Sequence, residues 1–334
     1  MQILTGTSGF SYPEWCGRFY PVGTAGAQML RYYATRLPTV EINNTFYRMP
    51  SPELVAGWGE EVPASFRFAV KAPRRITHSK KLAEVGDDIA HLFSVLEVLG
   101  EKLGPVLFQL PPFLKKDLGL LEAFLAVLPE RRRAALEFRH PSWFTEDVYR
   151  ALRAHNVALV GGDLEEVEQS PPLVATADFG YLRLRRMDYD PAGIADWGAR
   201  IGKQPWQTVY AYLKHEVLGP MFAEALFATL HGQPMADLSA VRASIAAPSQ
   251  KPKSTRSAGK SKGPAPLTSE ALDAPQSKAP AARTSKAPAA HTSKAPAAHT
   301  SKAPAARASK APAARASKAP AARTSAPSSK PRKS

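Results

Sequence analysis

The 334-residue chain has very little cysteine: Cys16 stands alone, so no internal disulfide framework is available and a reducing cytoplasm is the expected setting. It has no apolar run long enough to cross a bilayer. No signal peptide is expected either, because Met1-Gln2-Ile3-Leu4 enters a strand-like segment without a basic leader. Beyond residue 250 the aromatic residues stop and acidic residues nearly stop, leaving Glu270 and Asp273 against 18 Lys and Arg. The formal charge of +15 therefore belongs to that last stretch, and the preceding 250 residues carry about −1. A segment so poor in apolar side chains cannot offset the entropy of ordering itself. The expected division is a folded domain at 1–245 and a disordered Lys/Ala/Pro-rich tail at 246–334.

The tail has an internal repeat. From Ser277 to Thr324 the unit Ser-Lys-Ala-Pro-Ala-Ala-(Arg/His)-(Thr/Ala) recurs six times with a period of eight. A proline in every unit blocks a continuous helix, and the period matches no core-burying solenoid. Extended, partly polyproline-like chain is the expectation.

The folded part alternates short apolar runs with amphipathic patterns, the rhythm of repeated βα units. Strands are expected at 2–8, 39–43, 66–71, 105–110, 134–140, 157–163, 180–185 and 208–216. Helices are expected at 27–36, 52–61, 88–99, 118–128, 146–155, 194–201 and 221–231. Eight strands in about 245 residues fit a TIM-like (β/α)8 barrel of the α/β class. Ser51 and Thr145 are the expected N-caps of the helices that follow them. The stretch 164–178, with Pro171 and Pro172, shows no helical period. It reads as a long loop on the carbonyl side of the barrel, either functional or merely packed.

Strands of a parallel barrel are buried on both faces and should be apolar throughout. Here they turn polar at their C-terminal ends: Glu41, Asn43 and Asn44; Lys71; Gln109; Glu137, Arg139 and His140; Asp163; Arg183 and Arg185; Lys214, His215 and Glu216. Period-two spacing puts Glu41 with Asn43, Glu137 with Arg139, and Lys214 with Glu216 on shared faces. Catalytic groups of such barrels come from several strand ends at this face. Glu41, Lys71, Glu137, Arg139 and Asp163 are the candidate catalytic residues. Asn43, Asn44, Tyr47, Gln109, His140, Trp143, Arg183, Arg185, Lys214, His215 and Glu216 are candidates for holding substrate. Trp15 and Phe46, with Tyr47 and Trp143, would wall a pocket. A structural network of buried ion pairs is the competing explanation.

Mixed charge favours acid/base chemistry of a hydrolase or lyase type on a small phosphate or carboxylate, held by Arg183 and Arg185. A divalent-metal site would draw on Glu41, Glu137, Asp163 and Glu216, with His140 or His215. The five neighbouring cations oppose it and no HExxH or Cys/His cluster is present, so no metal is expected. A pocket that binds without chemistry is the third option. The sequence names no cofactor, and it gives no oligomeric state. Gly6-Thr7-Ser8-Gly9 lacks a nucleotide-loop pattern and reads as a turn. Gly161-Gly162 reads as close packing before Asp163.

Several of these runs carry a family likeness. They are Gly6-Thr7-Ser8-Gly9-Phe10-Ser11-Tyr12 with Trp15 and Phe19-Tyr20-Pro21, and Val40-Glu41-Ile42-Asn43-Asn44-Thr45-Phe46-Tyr47. Phe68-Ala69-Val70-Lys71-Ala72-Pro73-Arg74, Leu107-Phe108-Gln109-Leu110-Pro111-Pro112 and Glu137-Phe138-Arg139-His140-Pro141-Ser142-Trp143 follow in order. The chain resembles the domain-of-unknown-function family 72, also called YecE-like, over about residues 2–232. The resemblance implies a TIM-like barrel and names no reaction. Many relatives carry Asn-Asn-Asp at the eighth strand; Lys214-His215-Glu216 with Gly219-Pro220 departs from that and resembles a second variant. The tail lies outside the family pattern and resembles the basic tails of histone H1-like proteins. Such a tail would hold nucleic acid without reading its sequence, and would place the chain at the nucleoid.

Overall fold

The computed structural model describes residues 1–164 and 170–234, with Leu238. The expected boundary at 245, the tail and its repeats lie outside the described residues. Eight parallel strands close into one barrel in sequence order. They are β1 Gln2–Ser8, β2 Thr39–Ile42, β3 Arg67–Lys71, β4 Leu103–Gln109, β5 Ala134–Glu137, β6 Ala158–Asp163, β7 Phe179–Leu184 and β8 Thr208–Leu213. Six residues of β1, from Gln2 opposite Thr208 to Thr7 opposite Leu213, pair with β8 and complete the ring. Seven helices follow among the described residues: α1 Gly26–Tyr33, α2 Pro52–Glu60, α3 Gly86–Leu96, α4 Leu118–Ala126, α5 Glu146–Ala154, α6 Pro191–Gly202 and α7 Gly219–Leu230. No helix among the described residues is long and apolar enough to cross a membrane.

Alternation along each strand divides the core in two. Outward residues such as Val40, Phe68, Phe108 and Leu136 join the helices in a large outer cluster. A smaller inner cluster contains Leu4, Ala69, Leu107, Ala135, Ala158, Val160, Phe179, Tyr181, Tyr210 and Tyr212. The filling is lopsided, with alanines on β3, β5 and β6 making room for aromatic rings from β7 and β8. Buried phenols need partners. Arg133 Nη1 donates to the Tyr210 hydroxyl at 3.0 Å, and the Tyr212 hydroxyl lies 2.8 Å from Thr39 Oγ1.

The strand ends depart from expectation at the carbonyl face. β5 stops at Glu137, before a short 3-10 turn at Pro141–Trp143, and β8 stops at Leu213 rather than 216. Past β8, His215 Nδ1 accepts from the N–H groups of Val217 and Leu218, turning the chain toward α7. Ser51 caps α2 as expected, accepting from Leu54 N at 3.3 Å. Thr145 does not cap α5. Its hydroxyl donates instead to Asp147 Oδ1 at 2.5 Å, and that carboxylate takes the Val148 N–H. Helix α6 begins three residues before the expected start, with Asp190 Oδ1 accepting from Gly193 N at 2.7 Å and Pro191 in its first turn. A π-helical turn at Arg75–Ser79 was not anticipated.

Between β6 and β7 the described residues 170–178 form neither helix nor strand. This stretch packs on the barrel wall: Thr176 Oγ1 accepts from Leu159 N at 2.7 Å and donates to Val157 O at 2.8 Å. A Cβ at Gly161 would sit 2.9 Å from the Leu173 side chain. At Gly162, with φ of 152°, a Cβ would lie 2.0 Å from the carbonyl oxygen of Arg183. Glycine there lets β6 and β7 pair at full closeness.

Candidate functional site

Inward-facing positions at the carbonyl ends of β1, β2, β3, β4, β5 and β7 place Ser8, Glu41, Lys71, Gln109, Glu137 and Arg183 in one buried layer. Arg183 is its centre. Its Nη2 donates to Glu41 Oε1 at 2.9 Å, and its Nη1 donates to Glu137 Oε2 at 2.6 Å and Gln109 Oε1 at 3.2 Å. Glu41 also accepts from Ser8 Oγ at 2.5 Å, Asn43 Nδ2 at 3.0 Å and the Tyr181 hydroxyl at 2.7 Å. Glu137 Oε1 accepts from Arg139 Nε at 3.1 Å and Arg185 Nη2 at 2.9 Å. Three guanidinium groups therefore converge on one carboxylate.

Burial by itself would raise the pKa of both carboxyls. Around Glu41 the Arg183 charge and the Ser8, Tyr181 and Asn43 hydrogen bonds outweigh it, so its pKa falls below the ordinary value. Around Glu137 burial is opposed by Arg185, Arg183, Arg139 and Lys71, which hold its carboxyl well below that range. Both stay ionised near neutral pH. Burial, then the neighbouring Arg183 charge, lowers Arg185 to about 10, so it remains a cation. Burial and the Glu41 charge beside it raise the Tyr181 phenol well above its usual value, which keeps it a donor.

Lys71 is buried beneath Phe46, its Nζ 4.3 Å from the ring centroid. Lys71, Arg139, Arg183 and Arg185 thus gather around Glu41 and Glu137. Arg139 Nη2 is buried and has no hydrogen-bond partner. The opposite deficit occurs at Asn43, whose Oδ1 is buried and unpaired.

The structure gathers Glu41, Asn43, Lys71, Gln109, Glu137, Arg139, Arg183 and Arg185 as the sequence suggested. Other candidates sit elsewhere. Asp163 follows inward-facing Gly162 and so points out of the barrel; it accepts from Tyr189 OH at 2.5 Å, Trp197 Nε1 at 2.9 Å and Arg185 N at 2.8 Å. These bonds make it a clamp between β6, α6 and the end of β7. Trp143 is fully buried, stacked on Phe138 with centroids 4.5 Å apart, and its N–H donates to Leu114 O at 2.7 Å. Its place is the outer core, not a pocket wall. Trp15 is likewise buried, donating to Glu216 O at 2.7 Å. Lys214 and Glu216 are exposed because β8 has already ended. His140 Nδ1 accepts from Ser142 N and lies 2.8 Å from Ser142 Oγ, leaving Nε2 to carry its proton. Asn44 is half-buried and Tyr47 exposed at the rim. Ser8 and Tyr181 were not among the sequence candidates. Ser8 falls on the inward alternation after Leu4 and Gly6, and Tyr181 lies two residues before Arg183. Among the described residues, no three His, Cys, Asp or Glu side chains group closely enough to hold a metal ion.

Residues 4–244 match the family described as Protein of unknown function DUF72. The chain belongs to that family. It is 32% identical over 146 residues to the UPF0759 protein YecE of Escherichia coli K12, covering 43% of this chain and 51% of that protein. It is 30% identical over 142 residues to the UPF0759 protein YunF of Bacillus subtilis, covering 39% and 49%. These alignments span about half the length of each relative. A DUF72 family protein of Thermotoga maritima superposes with a TM-score of 0.61 at 25% identity, covering 69% of this chain and 100% of that one. Another from Enterococcus faecalis gives 0.58 at 20% identity, covering 69% and 96%, a likeness of fold.

Proposed function

We propose that the carbonyl face of this DUF72 barrel binds a small phosphate- or carboxylate-bearing substrate and acts on it by acid/base chemistry. The buried Arg139 Nη2, which has no hydrogen-bond partner, carries this reading. A buried guanidinium N–H without an acceptor is costly, and a bound anion would supply one. Arg139 Nη2 is the donor such an anion would meet.

The two carboxylates have a narrower part than their residue type suggests. Glu137, clamped by three guanidinium groups, is a weak proton acceptor at neutral pH, and its work is to orient them. Glu41 does the same for Arg183 and Tyr181. Lys71 is the inward side chain assigned to proton transfer. The test is phosphate titration of the full chain by calorimetry, compared with Arg139→Gln. Binding should weaken about tenfold in the variant, the loss of one charge-assisted hydrogen bond. Equal binding by both would remove the barrel from the interaction and leave the basic tail as the phosphate site.

A second reading rests on the tail sequence. Its spaced Lys and Arg, with almost no acid, would hold nucleic acid through phosphates and keep the barrel near it.

A further inference from the structure

Next to the charged layer lies a cavity of about 340 Å³, bounded by the loops after β2 and β3 and by α3. Its wall includes Phe46, Tyr47, Met49 and Ile76, with Arg74 and Asp88 at its polar edge. Phe46 belongs to both places: its ring lines the cavity and lies 4.3 Å from Lys71 Nζ. The negative charge of Asp88 is already matched, by Arg75 at 2.6 Å and Lys80 at 2.8 Å, so it does not repel an anion held nearby. Arg74 adds an exposed cation at the edge.

The backbone of this wall is unusual. Arg75 and Ile76 open the π-helical turn, and Lys81, Leu82 and Glu84 follow with φ of 51°, 72° and 50°. Single π turns and left-handed non-glycine residues are costly and concentrate where a ligand site is shaped. Elsewhere among the described residues only Asn156, a residue type that tolerates it, has such a φ outside glycine.

The geometry points to this cavity as the seat for the body of the substrate, an aryl or branched apolar group attached to the anion. The inference rests on the anion-binding reading above. A volume near 340 Å³ is at the low end of small-molecule pockets and about twice what encloses a benzene ring. Phe46 and Tyr47 supply ring faces for stacking, and Met49 and Ile76 supply adaptable apolar contact. The substrate class is therefore an aryl or alkyl phosphate or carboxylate rather than a free inorganic ion.

The experiment compares phenyl phosphate with inorganic phosphate by calorimetry on the full chain. Tail sites would take both phosphates alike and pull the ratio toward one, so a large ratio reports the barrel. Phenyl phosphate should bind at least about tenfold tighter, the worth of burying part of a ring. Met49→Trp, which fills the cavity, should bring the ratio close to one. Tyr47→Ala, at an exposed position that folding does not depend on, should lower it about threefold. Phosphate bound with no gain for the aryl ester overturns the cavity assignment and leaves the anion site standing. A gain that survives both substitutions places the aryl group elsewhere and also overturns it. Failure of both ligands to bind overturns the anion reading and this inference with it.

Discussion

The two ends of the barrel interior are built from the same strands and filled by opposite means. At the lower end Phe179 and Tyr210 meet edge to face, 6.1 Å apart, and Arg133 lies over both rings at 5.1 and 5.8 Å. One cation is settled there by aromatic faces and one hydroxyl. At the upper end Arg183 and Arg185 lie two and four residues past Tyr181, and with Arg139 they surround Glu137, while Arg183 also pairs with Glu41. The lower end is explained by shape and burial. The upper end is not, because apolar residues of similar volume would fill the same space at equal or better stability. Apolar and aromatic packing closes one end, and buried ion pairs fill the other.

The comparison can be broken most directly by large changes at each end. Arg183→Met removes the shared partner of Glu41 and Glu137 and should cost about 3–5 kcal/mol in urea unfolding, with phosphate binding abolished. Phe179→Ala should cost a similar 3–5 kcal/mol, while the folded protein binds phosphate as before. A folded Phe179→Ala protein that no longer binds phosphate would show the two ends to be one unit.

Acid sharpens the contrast next. The folded pKa values of Glu41 and Glu137 lie below those of the unfolded chain, so their stabilisation is fully present above the ordinary carboxylate range. It is lost as pH falls through the folded values. The urea midpoint should drop steadily below about pH 4, and the drop should shrink in Glu137→Gln. An unchanged acid limb in that variant would show that the three-arginine clamp contributes nothing.

Arg139→Gln should be milder, under about 1 kcal/mol in stability, because its one ion pair is partly exposed. Its effect belongs to ligand affinity. The smallest effect on the barrel is expected from removing 246–334: stability should change by less than about 0.5 kcal/mol, while retention on DNA at low salt should disappear. Retention that persists after truncation would move nucleic-acid contact onto the barrel.

Much of this was legible because parallel strands announce themselves as unbroken apolar runs, and a polar residue ending one is conspicuous. The Glu41–Asn43 and Glu137–Arg139 contacts followed from period two alone. Asp163 was misplaced for a related reason: Gly161 and Gly162 carry no side chain, so the alternation that sends Asp163 outward is invisible until traced back to Val160. Ser8 hid inside what looked like a turn. Trp143 was read from its position after a strand, but a flat contact with Phe138 five residues earlier is a tertiary fact. Asp190-Pro191 was a readable cap that the apolar period at Ile194 overshadowed. Nothing in local sequence marks the π turn at Arg75–Ser79, whose hydrogen bonds differ from those of an α-helix by one residue.

The stretch 170–178 gives the barrel a thin place. Among the described residues seven units are backed by helices, and β6 is backed at 170–178 by Leu173 and the two Thr176 hydrogen bonds. Backbone amides on β6 should accordingly exchange with solvent sooner than those on β4, and transient openings of the wall would begin along this seam. Asp163 stands at its upper end, joined to Tyr189, Trp197 and the Arg185 backbone. It works as a latch, tying the backbone just past β7 to β6 and α6 beside that seam.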